Sequence, residues 1–268
     1  MRDAGLVPAF RYLAPACLTE EGIRKIIVKK PLLCGCLVDV ATEEIPQFLH
    51  HPGVDLLEWR LDLFLRKHSL ESTRDALRFL SISPGPSSGP SSPRHPVLAT
   101  NRPLREGGAF EGTEEARFDM LRKAAEAGAE WVDIEDDTPE DTAKWFSSRH
   151  TRVLLSHHEF SETPDSVSLR RLAERMAGKG ADTVKIVTYA RSPEDNLRVL
   201  DLIPFARREL GIEMIAFCMG PLGRWSRFVC LMLGSPWTYV QFQELSAAAP
   251  GQLTVPEMRT LLSIGFEL

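Results

Sequence analysis

The chain of 268 residues has few cysteines, no long hydrophobic run and no excess of basic residues. Its five cysteines are scattered and form no CxxC motif, which favours reduced thiols in the cytosol over a disulfide framework. No apolar run approaches the roughly 20 residues that span a bilayer. Because 37 acidic residues outnumber 32 basic ones, nucleic-acid binding is not expected. These absences predict a cytoplasmic globular protein with neither a membrane nor a nucleic-acid partner.

From Pro31 onward, short apolar runs alternate with amphipathic stretches. Eight runs are predicted strands, at 32–38, 55–64, 96–102, 131–136, 152–159, 183–189, 213–220 and 237–242. Such alternation indicates a parallel α/β sheet, and eight repeats match the size of a barrel. We therefore predict a single (β/α)8 TIM-barrel domain over residues 31–268. A doubly wound open sheet is the alternative, weakened because no GxGxxG follows the first strand.

Two segments fall outside this repeat. Residues 1–30 are predicted to be an N-terminal extension of unknown role. Residues 81–96 read SISPGPSSGPSSPRHP, a Pro/Gly/Ser-rich composition that predicts a surface loop between the second helix and the third strand. A tether or docking segment is the alternative for this loop.

Several predicted strands carry charges where a buried parallel strand should be apolar. Glu58, Arg60 and Asp62 alternate along the second strand, which predicts that they share one face. Residues at the same spacing recur in the next three strands: Thr100 and Arg102, Asp133 and Glu135, Ser156 and His158. A single strand at the edge of a sheet can have a solvated face, but four strands of one small sheet cannot all be solvated in this way. The pattern favours a polar pocket at the strand C-termini, where barrel active sites lie.

Lys185 is the only charged residue in the predicted sixth strand, TVKIV. A structural interpretation pairs it with Glu58, Asp133 or Glu135. A catalytic one makes it a nucleophile, because an apolar strand and nearby cations favour the neutral amine. A neutral amine attacks a ketone or aldehyde to give an imine, and the protonated imine acidifies the adjacent C–H.

Imine chemistry of this kind needs a base, and the motif SHHEF offers two histidines. Strand alternation turns His158 inward with Ser156 and turns His157 outward. Glu106, in the loop after the third strand, is the candidate to fix the tautomer of His158. A structural core histidine is the alternative for His158. We predict no metal, because adjacent histidines on a strand point to opposite faces.

The chain resembles the type I 3-dehydroquinate dehydratases, the imine-forming enzymes of the shikimate pathway. The resemblance rests on six segments in the family's order: EWRLD at 58–62, TNRPLREGG at 100–108, SHHEF at 156–160, GADTVKI at 180–186, MGPLGRWSR at 219–227 and APGQ at 249–252. It implies a lyase that converts 3-dehydroquinate to 3-dehydroshikimate for aromatic amino acid biosynthesis. It also implies that no cofactor is needed, and a homodimer.

The resemblance implies catalytic roles for three residues. Lys185 would form the imine with the C3 ketone of the substrate. His158 would remove the C2 proton and later protonate the departing C1 hydroxyl, while Glu106 would pair with His158.

Five further residues would bind the substrate by the same resemblance. Glu58, Arg60 and Arg102 would hold its hydroxyls in the polar pocket. Arg227 would bind its carboxylate, a task suited to the planar guanidinium. Gln252 would reach in from the loop after the eighth strand and help to close the site.

Three residues depart from the family pattern, and the segment 240–249 is slightly longer than usual. Ala248 stands where the family often has a hydroxyl residue, Cys36 takes the place of a pocket serine, and Glu159 replaces an aspartate. We expect these changes to affect closure of the loop and KM rather than the reaction type. Two other functions stay open at this stage: a class I aldolase, and a non-catalytic relative that binds a shikimate intermediate.

Overall fold

The computed structural model of the chain describes residues 31–81 and 94–265. The predicted N-terminal extension at 1–30 lies outside the described residues, and so do residues 82–93 of the predicted loop at 81–96. The predicted domain boundaries therefore stay predictions.

The eight predicted strands all form, and they follow one another in one parallel sheet. Their bounds are β1 Leu32–Leu37, β2 Leu56–Arg60, β3 Val97–Thr100, β4 Trp131–Glu135, β5 Arg152–His158, β6 Thr183–Tyr189, β7 Glu213–Met219 and β8 Trp237–Gln241. Each strand from β1 to β6 pairs in parallel with the next, and β8 pairs with the other edge of β1. The predicted (β/α)8 barrel is confirmed.

Helices alternate with these strands. Their bounds are α1 Ile45–Phe48, α2 Leu61–Leu65, α3 Leu70–Ala76, α4 Arg78–Ser81, α5 Glu114–Glu126, α6 Glu140–Ser147, α7 Ser166–Ala177, α8 Pro193–Leu200, α9 Leu202–Phe205, α10 Ser226–Met232 and α11 Val255–Gly265. As predicted, Thr113 caps α5, since its hydroxyl accepts the Ala116 amide at 3.2 Å. Within the described ranges, no helix has the length and apolar character needed to cross a membrane.

The second strand is shorter than predicted. It ends at Arg60, and Asp62 lies in the first turn of α2 rather than on the strand face. The prediction that Asp62 shares the face of Glu58 is therefore wrong. Asp62 is held from the helix instead, because its two oxygens accept bonds of 2.9 and 2.7 Å from Arg60 and one of 3.0 Å from the Ala109 amide.

The predicted helix at 192–210 is broken into three segments. The helices α8 and α9 are followed by a wide helical turn, Ala206–Leu210. Pro204 lies inside this stretch and has no amide to donate, which interrupts a continuous helix.

The barrel has a seam between β7 and β8, where no main-chain ladder joins the two strands in the described part of the chain. The outer edge of β8 pairs instead with a short ninth strand, β9 (Leu253–Thr254). Phe217 of β7 and Tyr239 of β8 meet across the seam with ring centroids 6.3 Å apart. Side chains therefore close the ring of strands at this point.

Two indole rings fill the amino-terminal end of the barrel interior. Trp131 of β4 contacts Trp237 of β8, with ring centroids 5.2 Å apart, and both are buried. Because this end is filled, the space left inside the barrel lies toward the carboxyl ends of the strands.

Candidate active site

One pocket at the carboxyl ends of the strands brings together all eight predicted site residues. Its walls include Glu58, Arg60, Arg102, Glu106, His158, Lys185, Arg227 and Gln252, together with Cys36, Phe160, Phe217, Tyr239 and the segment 248–250. Among the charged residues that alternate along the strands, Glu58, Arg60 and Arg102 thus face one cavity, whereas Asp62, Asp133 and Glu135 are not part of its lining. This confirms a polar pocket in the barrel rather than several solvated sheet edges.

Lys185 projects from the middle of β6 into this pocket. Its Cα lies in register with Ser156 on β5 and Ile215 on β7, and its side chain is 7% exposed. The Nζ atom lies 3.3 Å from Oδ2 of Asp133 and 4.5 Å from the ring centroid of Tyr239. The pairing with Asp133 is one of those proposed for a structural lysine, but the amine is also at the cavity wall.

Asp133 is the centre of a buried polar cluster beneath Lys185. Arg102 donates to Asp133 at 2.5 Å, to Glu135 at 2.7 Å and to Ser156 at 2.7 Å. The Ser156 hydroxyl in turn donates to Asp133 at 2.5 Å. Burial alone would raise the pKa of Asp133, but Arg102 and Lys185 hold it below its usual range. Asp133 is therefore a fixed negative charge next to the amine.

His158 at the end of β5 is held by Glu106. Its Nδ1 lies 2.9 Å from Oε2 of Glu106, and the same oxygen accepts the His158 amide at 3.0 Å. Burial and then the charge of Arg102 lower the pKa of His158 well below its usual value. The imidazole is therefore neutral at pH 7. An ionised Glu106 places its proton on Nδ1 and leaves Nε2 as a base.

Glu106 comes from the short turn Leu104–Glu106, which ends at Gly107. Gly107 has φ +70°, a conformation that glycine adopts without strain and that turns the chain over the pocket. Burial raises the pKa of Glu106 to about 7, against the opposing charge of Arg102.

His157 points away from the pocket wall, as strand alternation predicts. Its Nδ1 lies 3.2 Å from Asp136, and this hydrogen bond raises the pKa of His157. Donor atoms of Glu106, Asp136 and His157 lie within 4.8 Å of one another. Arg175 and Lys179 also bind Asp136, so two cations already occupy the surroundings of this cluster.

Arg227 is a buried cation at the first turn of α10. Its Nη2 donates to the Pro250 carbonyl at 3.2 Å, and its guanidinium lies 4.5 Å from the Phe217 ring centroid. None of the described residues offers it a carboxylate, and its Nε has no hydrogen-bond partner among them. Burial lowers the pKa of Arg227 to about 10, so it is charged at pH 7. This environment suits an anionic ligand in the pocket.

Gln252 and Glu58 lie on either side of Cys36 in the pocket wall. Gln252 Nε2 donates to Cys36 Sγ at 3.1 Å, and Cys36 Sγ donates to Glu58 Oε2 at 3.3 Å. The other oxygen of Glu58 accepts the Thr100 hydroxyl at 3.0 Å. The loop after β8 thus contacts β1 directly and is linked to β2 through Cys36.

Arg117, which the sequence pattern alone did not single out, supports the pocket from outside the barrel. It lies on α5, fully buried, and its guanidinium is 2.7 Å from Glu114 and 2.5 Å from Glu135. The sequence does indicate that Arg117 is buried, because helical spacing puts it on the same face of α5 as the apolar residues Met120 and Leu121. A charge on a buried stripe predicts a buried partner.

Comparisons with known proteins point to one family. Residues 33–268 match the model of the family described as Type I 3-dehydroquinase. The 3-dehydroquinate dehydratase of Syntrophobacter fumaroxidans is 54% identical over 233 residues, which are 87% of this chain and 96% of the relative. That of Dehalococcoides mccartyi (strain 195) is 35% identical over 86% of this chain and 94% of its own length. The crystal structure of 3-dehydroquinate dehydratase from Geobacillus kaustophilus superposes with a TM-score of 0.74, at 29% identity, over 88% of this chain and 91% of that one.

Proposed function

The chain belongs to the type I 3-dehydroquinase family and dehydrates 3-dehydroquinate, and we propose that it does so through an imine formed on Lys185. One observation supports this most: a buried amine, a neutral imidazole and an arginine without a carboxylate partner line the same cavity. Family membership also decides for the lyase over the aldolase and the non-catalytic relative.

The imine step starts from the neutral Lys185 amine and the C3 carbonyl of the substrate. The amine nitrogen bonds to C3, and the carbonyl oxygen leaves as water once the carbinolamine collapses. Protonated on nitrogen, the imine withdraws electrons from C2. The scheme needs only groups of this chain and the substrate.

Elimination then uses His158. Nε2 takes the C2 proton, and the C–H electrons form an enamine with C3. The enamine electrons expel the C1 hydroxyl, which takes the proton back from Nε2 and leaves as water. Hydrolysis of the new imine restores the Lys185 amine and the C3 ketone, so the net change is the loss of one water molecule. Glu106 stabilises the imidazolium that forms between the two proton transfers.

Arg227 binds the substrate carboxylate in this proposal, and Gln252 covers it from the loop. Glu58 and Arg60 face the cavity and hold hydroxyls, as the family resemblance implies. Arg102 already donates to three side chains of the cluster around Asp133. Its contribution therefore includes fixing Asp133 under the amine as well as contacting the substrate.

The setting of the enzyme is part of the same proposal. We place it in the cytoplasm, in the shikimate pathway of aromatic amino acid biosynthesis, as a homodimer without nucleic-acid or membrane partners. The net charge of -5 and the scattered cysteines support this setting. Light scattering on the purified chain tests the dimer.

Borohydride reduction in the presence of 3-dehydroquinate tests the mechanism. The wild type is expected to turn over substrate and to carry a reduced adduct on Lys185 by peptide mass spectrometry. Lys185→Ala should lose both. His158→Ala should still form the adduct but should not exchange deuterium from C2 of the substrate. Turnover by Lys185→Ala would refute covalent catalysis, and normal C2 exchange in His158→Ala would mean that another group is the base.

A further inference from the structure

The thiol of Cys36 connects the loop after β8 to the barrel wall. Cys36 lies on β1, 2% exposed, with its Cα in register with Glu58 on β2 and Gln241 on β8. Its sulfur accepts from Gln252 at 3.1 Å and donates to Glu58 at 3.3 Å. One side chain thereby joins the loop to two strands.

The protonation state of Cys36 suits this double contact. Burial, reinforced by the negative charge of Glu58, raises the pKa of the Cys36 thiol well above its usual value. The group is therefore S–H at pH 7. A thiol can donate to a carboxylate and accept from an amide together, whereas a thiolate cannot donate.

The Gln252 side chain is fixed at both ends. Its Oε1 accepts the Ala248 amide at 2.9 Å, so its NH2 group must be the end that meets Cys36. The contact with Ala248 closes the loop on itself, and the contact with Cys36 ties it to β1. Without Cys36, the Gln252 side chain keeps its contact within the loop but loses its hydrogen bond to β1, while β9 and Pro250 still hold the loop backbone.

We propose that Cys36 is a positioning residue for substrate binding, and that it acts by holding Gln252 over the pocket. The inference rests on the proposed role of Gln252 in covering the bound substrate. Cys36 touches no reacting atom in this account. Its removal should weaken the binding of 3-dehydroquinate and leave the chemical step nearly unchanged.

A double-mutant cycle between Cys36→Ala and Gln252→Ala tests the proposal. Cys36→Ala alone should raise KM about three- to tenfold, the range for one lost hydrogen bond, with kcat within about twofold. In the Gln252→Ala background, the same change should alter KM by less than about twofold, because the group it positions is gone and Glu58 is still held by the Thr100 hydroxyl. Cys36→Ser should have a KM close to that of the wild type, since a hydroxyl can also donate and accept.

Cys34→Ala is the matched control. Cys34 is buried two residues earlier on the same face of β1, and no hydrogen bond joins it to the loop in the described part of the chain. Cys34→Ala should lower the melting temperature, because it removes a buried thiol. It should not change KM by more than about twofold. An equal effect of Cys36→Ala in both backgrounds, or no effect in either, would overturn the proposal.

Alkylation of Cys36 gives a readout that does not depend on turnover. Iodoacetamide should modify Cys36 slowly in the wild type and faster in Gln252→Ala, as followed by peptide mass spectrometry. Equal rates would show that Gln252 does not hold the loop on Cys36. The imine proposal is tested by a different experiment, since turnover by Lys185→Ala would refute it whatever the result for Cys36.

Discussion

At the scale of single residues, two buried arginines differ in what surrounds their guanidinium groups. Arg117 lies between two carboxylates, Glu114 and Glu135. Among the described residues, Arg227 has the Pro250 carbonyl and the face of Phe217 but no carboxylate. A buried cation without an anion opposes folding, so Arg227 lowers stability in the unliganded protein, and the carboxylate proposed to bind there would supply the missing anion.

Replacing each arginine by methionine should therefore have opposite effects on stability. Arg227→Met should leave the free energy of unfolding at pH 7 unchanged or raise it by about 1–3 kcal/mol, because burial already disfavours the charge. Its KM for 3-dehydroquinate should rise by about a hundredfold or more. Arg117→Met should lower the free energy of unfolding by about 3 kcal/mol, because the buried Glu135 loses one of its two arginine partners and keeps only Arg102 among the described residues. Urea denaturation measures both, and equal destabilisation by the two changes would contradict this reasoning.

The pKa of Glu106 predicts the pH dependence of the reaction. With a pKa of about 7, Glu106 is protonated below this pH and ionised above it. A protonated carboxyl donates to Nδ1 of His158 and moves the imidazole proton to Nε2, which then cannot act as a base. Since the pKa of His158 is lowered, that residue adds no inflection near neutrality. The kcat/KM of the wild type should therefore rise with pH through about 7 and then level off.

Glu106→Gln provides the control for this profile. The amide oxygen can still accept Nδ1–H, but it cannot ionise. We expect a lower kcat/KM with no inflection near pH 7, from initial rates between pH 5.5 and 9 at roughly constant ionic strength. An inflection near 7 that persists in Glu106→Gln would assign the titration to another group.

At the scale of elements, the loop after β8 depends on a close backbone approach at Gly251. Gly251 has φ +78°, and a Cβ there would lie 2.8 Å from the Gly220 carbonyl oxygen. Gly211 has a similar φ of +68° but open space around it. Gly211→Ala should lower the free energy of unfolding by about 1 kcal/mol, and Gly251→Ala should lower it by more because of the contact with Gly220. Only Gly251→Ala should lower kcat/KM, by about ten- to hundredfold. An equal loss of activity in both variants would show that strain, rather than loop position, is the cause.

The order of the strands is predictable because each is a short apolar run bounded by polar residues. The end of β2 is not, because LLEWRLDLF fits both a strand and a helix period until the Arg60–Asp62 pair decides where the chain turns. The break around Pro204 is visible in the sequence, but the wide turn after it depends on how α9 packs against β7. Local pattern thus predicts which elements exist better than where they end.

The sequence predicts which residues line the pocket better than it predicts which partners they contact there. Strand alternation and the family resemblance place Lys185 and His158 in one cavity, and the structure places both there. The partner of Lys185 was left open among three acids, since choosing Asp133 requires the register between β4 and β6 through Ser156. The thiol contact of Gln252 depends on a loop that no periodic pattern describes.

At the scale of the whole molecule, the seam and the active site are one feature. Because β7 and β8 form no ladder within the described residues, the interior at this point is bounded by Phe217 and Tyr239 rather than by backbone. The Tyr239 ring lies beside Lys185, and the Phe217 ring lies beside Arg227. The side chains that close the barrel are therefore those that surround the amine and the proposed carboxylate site.

The catalytic unit should begin at residue 31. The family match starts at residue 33, and β1 is an inner strand that pairs with both β2 and β8. Deletion of residues 1–30 should therefore leave kcat/KM within about twofold and shift the melting temperature by only a few degrees. Deletion of residues 1–37 should abolish folding, because it removes β1 and leaves two ladders without a partner. Circular dichroism and initial rates measure both. A loss of activity on removal of residues 1–30 would mean that the extension contributes to the site or to the stability of the barrel.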